Sequence, residues 1–187
     1  MSDSRKDEGK SVLKTFRLSG SLDRSLKKGA ADEGTTVNAL ANSILGAYFG
    51  WRKKAREFGF IPLYRPVLMR IIEELDDEAL ARIGREGVAA SWIEQAEFFL
   101  QDPTPTKTLE AMSRRSKTNP GATTRITQED GAYTIVMLHD FGPRWSIVVK
   151  GALQGFVRKT FDVEPRITVG GSVVTARFKV NPQTQTA

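Results

Sequence analysis

Cysteine is absent from the chain, and histidine occurs once, at His139. The first absence removes disulfides, thiolate nucleophiles, zinc fingers and iron–sulfur clusters together, and the second removes most remaining transition-metal chemistry. No run of eighteen apolar residues exists, which excludes a membrane-spanning helix of ordinary length. The first eight residues, Met1 to Glu8, are polar and mixed in charge, so no signal peptide is expected and the expected location is cytoplasmic and nucleoid-associated. What is there is the balance of a soluble globular protein: 187 residues, 40% apolar and 27% charged. The formal charge of +6 points to an acidic partner such as nucleic acid. Its distribution is uneven. Residues 1 to 60 carry twelve Lys or Arg against seven Asp or Glu, residues 61 to 110 carry five against ten, and residues 111 to 187 carry eleven against five.

Periodicity divides the chain into five parts. Residues 1 to 10 and 181 to 187 are polar tails. In residues 11 to 19, Phe16 and Leu18 alternate with Thr15 and Arg17, the period-two pattern of a strand with one apolar face. Leu22, Leu26 and Ala30 then recur every four residues, with Ser19 as N-cap and Gly34 as the stop, which predicts a helix. A second helix starts at Thr36 and carries Val37, Leu40, Ala41, Ile44, Tyr48 and Trp51 on one side. Residues 52 to 57 continue it as a charged run, whose Arg52 to Arg56 part reads as a solvated helix end with DNA contact as the competing reading, and the Phe58 to Pro62 stretch breaks it.

The acidic middle, residues 56 to 122, reads as a helical connector. One helix opens at Pro66, a second is capped by Asp76 and Asp77, a third by Ser91, and a short one runs from 108 to 115. The acidic pairs Glu73-Glu74 and Asp76-Asp77 read as solvated helix charges, since adjacent carboxylates on a helix point in different directions, with acid-base or magnesium chemistry as the competing reading. Residues 123 to 180 read as ββαββ. Strands over 123 to 127 and 133 to 138 flank a turn at Glu129-Asp130-Gly131, a helix runs from Pro143 to Phe161, and strands over 166 to 169 and 173 to 180 flank Gly170-Gly171.

A lone strand followed by two amphipathic helices cannot bury its apolar face or satisfy its backbone by itself. The run Leu18-Ser19-Gly20-Ser21-Leu22, followed by Asp32-Glu33-Gly34-Thr35-Thr36-Val37-Asn38, resembles the ribbon-helix-helix superfamily, which includes Arc, MetJ and the plasmid copy-number repressors. The resemblance covers residues 11 to 52, somewhat over a quarter of the chain. It implies an α+β protein: an N-terminal ribbon-helix-helix domain over residues 11 to 55 forming an intertwined dimer, the helical connector, and a C-terminal ββαββ α/β sandwich over residues 123 to 180. It further implies that an antiparallel ribbon enters the major groove of double-stranded DNA, with Phe16 and Leu18 inward and Leu13, Thr15 and Arg17 outward to read bases. A guanidinium at Arg17 bonds guanine at O6 and N7, and Thr15 donates, accepts, or packs on a thymine methyl. Thr35, Thr36 and Asn38 at the start of the second helix lie near phosphate, and Lys10, Lys14, Lys27 and Lys28 add salt-dependent affinity. Lys14 departs from the pattern, since the alternation places an inward apolar residue there. The competing reading makes residues 11 to 19 an edge strand of a larger core.

His139-Asp140-Phe141-Gly142-Pro143-Arg144-Trp145 is the densest polar and aromatic cluster in the rest of the chain, at a strand-to-helix junction where ligands bind. It resembles a block in uncharacterised prokaryotic and archaeal proteins that also begin with a ribbon-helix-helix module. His139 and Trp145 are the cofactor-binding candidates, with a structural histidine and a core tryptophan as the competing reading. No catalytic residue, cofactor or metal follows from the sequence; a nickel regulator's several His and Cys are missing. The expected function is a homodimeric, sequence-specific transcriptional regulator, a repressor in type and not an enzyme, which assembles further or takes an effector through its C-terminal part. The alternative is an antitoxin-type module whose C-terminal part binds a partner protein. No membrane partner is expected.

Overall fold

The computed structural model describes residues 11–100, 104–116 and 121–180, with the side chains of 114–116 outside that set. The two predicted tails lie outside the described residues. The chain divides between Phe60 and Ile61 into two compact units.

In the first unit, residues 11 to 19 form no strand. The first element among the described residues is a helix starting at Gly20, and the expected ribbon is corrected accordingly. The alternation of Phe16 and Leu18 reports which side chains share a face; a strand also needs a neighbour to accept and donate its backbone hydrogen bonds. Among the described residues the four strands lie beyond residue 121, joined into one sheet. Phe16 is accordingly 67% exposed instead of turned inward.

Helix α1, Gly20–Asp32, begins where the Ser19 hydroxyl accepts from the Leu22 N–H. It ends where Thr35 N–H bonds the Ala30 carbonyl and Gly34 N–H bonds that of Ala31. That closure places Gly34 at a φ of 61°, open to glycine and costly to other residues. Helix α2, Val37–Ala47, is capped by Thr36, passes through a wider π turn at Tyr48–Arg52 and resumes as α3, Lys53–Phe58. Helix α2 packs on α1 next to Gly29, where a Cβ would lie 3.2 Å from Leu40.

The second unit is built around one helix. Helices α4, Arg65–Glu74, α5, Asp77–Arg82, a π turn at Ile83–Val88, and α6, Ala89–Phe99, are followed by α7, Pro105–Ser116. Asp76 caps α5 as expected. Ser91 caps nothing: α6 continues unbroken from the π turn, and the Ser91 hydroxyl donates to the Val88 carbonyl within the helix. Then come β1, Ala122–Glu129, β2, Ala132–His139, α8, Trp145–Phe161, β3, Arg166–Gly170, and β4, Val173–Lys179. The strands form one antiparallel sheet in the order β1-β2-β4-β3, the product of two hairpins joined by α8. The C-terminal ββαββ order is therefore present.

Helix α8 lies over one face of the sheet, where Tyr133, Ile135, Val174, Ala176 and Phe178 pack with Leu153, Phe156, Val157 and Phe161. Its opposite side meets α5, the π turn and α6 at backbone distance. A Cβ on Gly84 would enter the Val148 carbonyl, and one on Gly151 or Gly155 would enter that of Ala81 or Arg85. Helix α8 is thus a middle layer, which explains why ten of its seventeen residues are buried. Among the described residues no helix is long and apolar enough to cross a membrane.

Candidate functional sites

The residues expected to read bases, Leu13, Thr15 and Arg17, all lie on the exposed chain ahead of α1, with Leu13 at 92% exposure. Lys14 is exposed in the same segment. The residues expected near phosphate gather where α1 turns into α2. Thr35 is held through its N–H, the Thr36 hydroxyl accepts from the Ala39 N–H at 3.1 Å, and the Asn38 side chain and carbonyl both accept from Asn42 Nδ2. Thr35, Thr36 and Asn38 remain exposed at the positive end of α2. Among the described residues no hydrogen bond joins this group to Thr15 or Arg17.

The first unit has almost no interior. Ala30 and Ala55 are the buried residues among those described, while Val37, Ile44 and Tyr48 lie on one exposed stripe that runs from α2 into the π turn, and Leu45, Phe49 and Leu22 are also exposed. Two alanines cannot offset the conformational entropy of some fifty ordered residues.

The His139 to Trp145 cluster is tied into the second unit through two arginines and a buried histidine. Arg65 pairs with the Asp140 carboxylate at 2.9 Å, bonds the Asp140 carbonyl and lies 5.0 Å over the Phe141 ring, which in turn meets Trp145 at 5.6 Å. Arg144 pairs with Asp77 at 3.0 Å and donates to the carbonyls of Ile72 and Leu75 at the end of α4. The loop between β2 and α8 therefore fastens α4 to the sheet, through two arginines that supply donors to otherwise orphaned carbonyls.

His139 is buried, and its Nε2 lies 2.9 Å from Ser146 Oγ. The Ser146 hydroxyl donates to the Gly171 carbonyl at 2.6 Å, so Nε2 is the nitrogen that carries the proton and donates to Oγ. Nδ1 is left as a buried acceptor with no partner among the described residues. Ser146 is itself 1% exposed, which closes its hydroxyl to a substrate. The sequence reading anticipated the cluster but not this chain of bonds, because Gly171 comes from the far hairpin.

Burial holds the His139 pKa below 6.5, partly opposed by the charge of Asp140. The unfolded chain then binds more protons than the folded one as pH drops through the ordinary histidine range, so stability is full above about 6.5 and declines below it. The urea midpoint of the second unit is expected to fall between pH 7.5 and pH 5.5, and to fall less in His139→Gln. Equal declines in both proteins would assign the effect to other groups.

Among the described residues no group of three His, Asp or Glu side chains could hold a metal ion. An open cavity of about 310 Å³ lies at the β1–β2 turn, lined by Thr127, Glu129, Asp130, Ala132, Thr134 and Lys179. It has two carboxylates beside one lysine and no aromatic wall, unlike the mostly apolar pockets that enclose small ligands. The fold and these sites define an α+β protein with a basic, nearly coreless helical unit ahead of a three-layered unit. No protein-family model matches the chain, and none of the curated proteins is significantly similar to it in sequence.

Proposed function

We propose that the chain binds double-stranded DNA sequence-specifically through residues 11 to 60, as a homodimer, and acts as a transcriptional regulator. The observation that carries this reading is the first unit itself: an exposed apolar stripe that needs a cover, in a segment rich in Lys and Arg. Residues 11 to 60 hold nine Lys or Arg against four Asp or Glu. A second copy of the same unit supplies a matching apolar surface, since a two-fold interface is self-complementary. The motif between Leu18 and Asn38 supports the reading independently of the strand that is not there.

In this reading Arg17 and Thr15, carried on exposed chain, contact base edges, Leu13 packs beside them, and the N-terminus of α2 with Lys14 meets phosphate. The test is selection of duplexes from a random pool at one stated salt concentration, in parallel for wild type and Arg17→Ala. Wild type is expected to enrich a motif, and the variant to lose discrimination at one position by about 2 kcal/mol. Enrichment of no motif by wild type would remove sequence-specific regulation, leave the first unit as a dimerisation or non-specific architectural element, and turn the search for function to the C-terminal part, as in a module that binds a partner protein there.

A further inference from the structure

The sheet of the second unit has a second face, and its composition differs from that of the rest of the surface. Inward residues alternate with outward ones along each strand. Since Tyr133, Ile135, Val174, Ala176 and Phe178 face α8, their neighbours Thr134, Thr175, Arg177 and Lys179 face away. The strand register brings Thr127, Thr134, Arg177 and Arg166 into one row across all four strands. Arg125 stands in the adjacent row, directly across from Val136, and Lys179 lies two residues beyond Arg177 on the same face.

Arg125, Arg166, Arg177 and Lys179 are all exposed, and none of the described ion pairs engages them. Arg166 and Arg177 are direct cross-strand partners, an arrangement in which like charges repel at roughly 5 Å between Cβ atoms and weaken the sheet. A fold that only needed solubility would place an acid at one of those positions. Instead the face holds four cations, with the carboxylates of Glu129 and Asp130 at one end beside Lys179 and threonine hydroxyls between the cations.

We infer that this outer sheet face, centred on Arg166 and Arg177 with Arg125 and Lys179 at its sides, is a second DNA-contacting surface that binds the phosphate backbone of a duplex. The inference rests on the DNA-binding reading above and extends it to the second unit. Guanidinium, ammonium and threonine hydroxyl are the side-chain groups that contact phosphate. Like-facing residues two apart on a strand are about 7 Å apart, comparable to the separation of successive phosphates on one nucleic-acid strand. The face carries no aromatic residue, so it offers no stacking platform for the bases of a single strand. An anion between Arg166 and Arg177 also relieves their repulsion. Contacts of this kind add affinity without sequence preference, and division of labour follows: the first unit selects the site, and the sheet holds the adjoining backbone.

The experiment titrates the full chain against a fluorescein-labelled mixed-sequence duplex at several salt concentrations, for wild type, Arg166→Gln/Arg177→Gln/Lys179→Gln, and Arg166→Lys/Arg177→Lys. The triple variant, which also removes the Arg166–Arg177 repulsion, is expected to keep or raise its thermal midpoint. It should bind about tenfold more weakly, with a salt slope reduced by about two to three, near one per lost phosphate contact. The lysine variant is expected to stay close to wild type. Binding by wild type with unchanged affinity and slope in the triple variant would overturn the sheet-face inference and leave the DNA-binding reading in place. No binding of any duplex by wild type at low salt would end both. Retention of wild type, but not of the triple variant, on immobilised polyglutamate with DNA affinity unaltered would overturn the inference in favour of an acidic protein partner.

Discussion

Gly155→Ala is expected to destabilise the second unit by about 3 kcal/mol, at the upper end of what an inserted methyl group costs in a packed interior. The reason is what the methyl meets. A Cβ on Gly155 would run into the carbonyl of Arg85 and lie 2.9 Å from the Ala89 side chain. A flexible side chain can swing aside, but a backbone carbonyl inside a helix moves only with its helix. Gly84 and Gly151 close the same interface one turn away, against Val148 and Ala81, so the helices cannot tilt to make room at one end without tightening the other. Chemical denaturation measures the change. A loss under about 1 kcal/mol would mean that α8 and the π turn slide easily past each other.

Ile44→Asp is expected to abolish self-association and to unfold residues 20 to 58, an effect of about 3 kcal/mol for a charge placed in an apolar contact. Ile44 sits at the middle of the stripe that also carries Val37 and Tyr48. In an isolated unit an aspartate there would face water and cost little, so the size of the effect reports whether the stripe is covered. Light scattering and helical circular dichroism at micromolar concentration read both parts. A wild type that scatters as a monomer while retaining its helices would contradict the homodimer directly.

The elements whose signals are local were legible in the sequence. Ser19, Thr36 and Asp76 are caps whose bonds are made within three residues, and the two hairpins announce themselves through alternation and turn residues, the first turn at Asp130-Gly131 and the second at Gly171-Ser172, one residue beyond the Gly170-Gly171 expected. The strand over residues 11 to 19 was misread because alternation specifies a face and leaves open whether a neighbouring strand exists. Ser91 was misread because a serine inside a helix can satisfy its hydroxyl on a preceding carbonyl as well as start a new turn.

Other features have no sequence-local signal. The glycines at 84, 151 and 155 acquire their meaning only when two helices distant in sequence cross. The bond from Ser146 to Gly171 joins residues 25 apart. The row of Arg177 and Arg166 could have been found, because outward positions follow from alternation once the strands are placed. A charge total over a segment, however, hides which face of a sheet the charge occupies. The residues proposed to read DNA bases were found through a family motif, whereas those proposed to grip the backbone emerge from strand register.

The burial of α8 between two layers has a consequence for how this chain can be inherited. A helix that packs its glycines on one neighbour and its phenylalanines on another leaves no half that can be carried away intact. Gene rearrangements that cut between α6 and β1 would leave each product with an uncovered interior and nothing to match it elsewhere. The boundary between Phe60 and Ile61 is different, because the chain there passes from one compact unit to the next. Exchange of the first unit for another, with the second kept whole, is the recombination this architecture tolerates. Relatives of this chain should therefore vary in what precedes residue 61 more freely than in the order of elements that follows it.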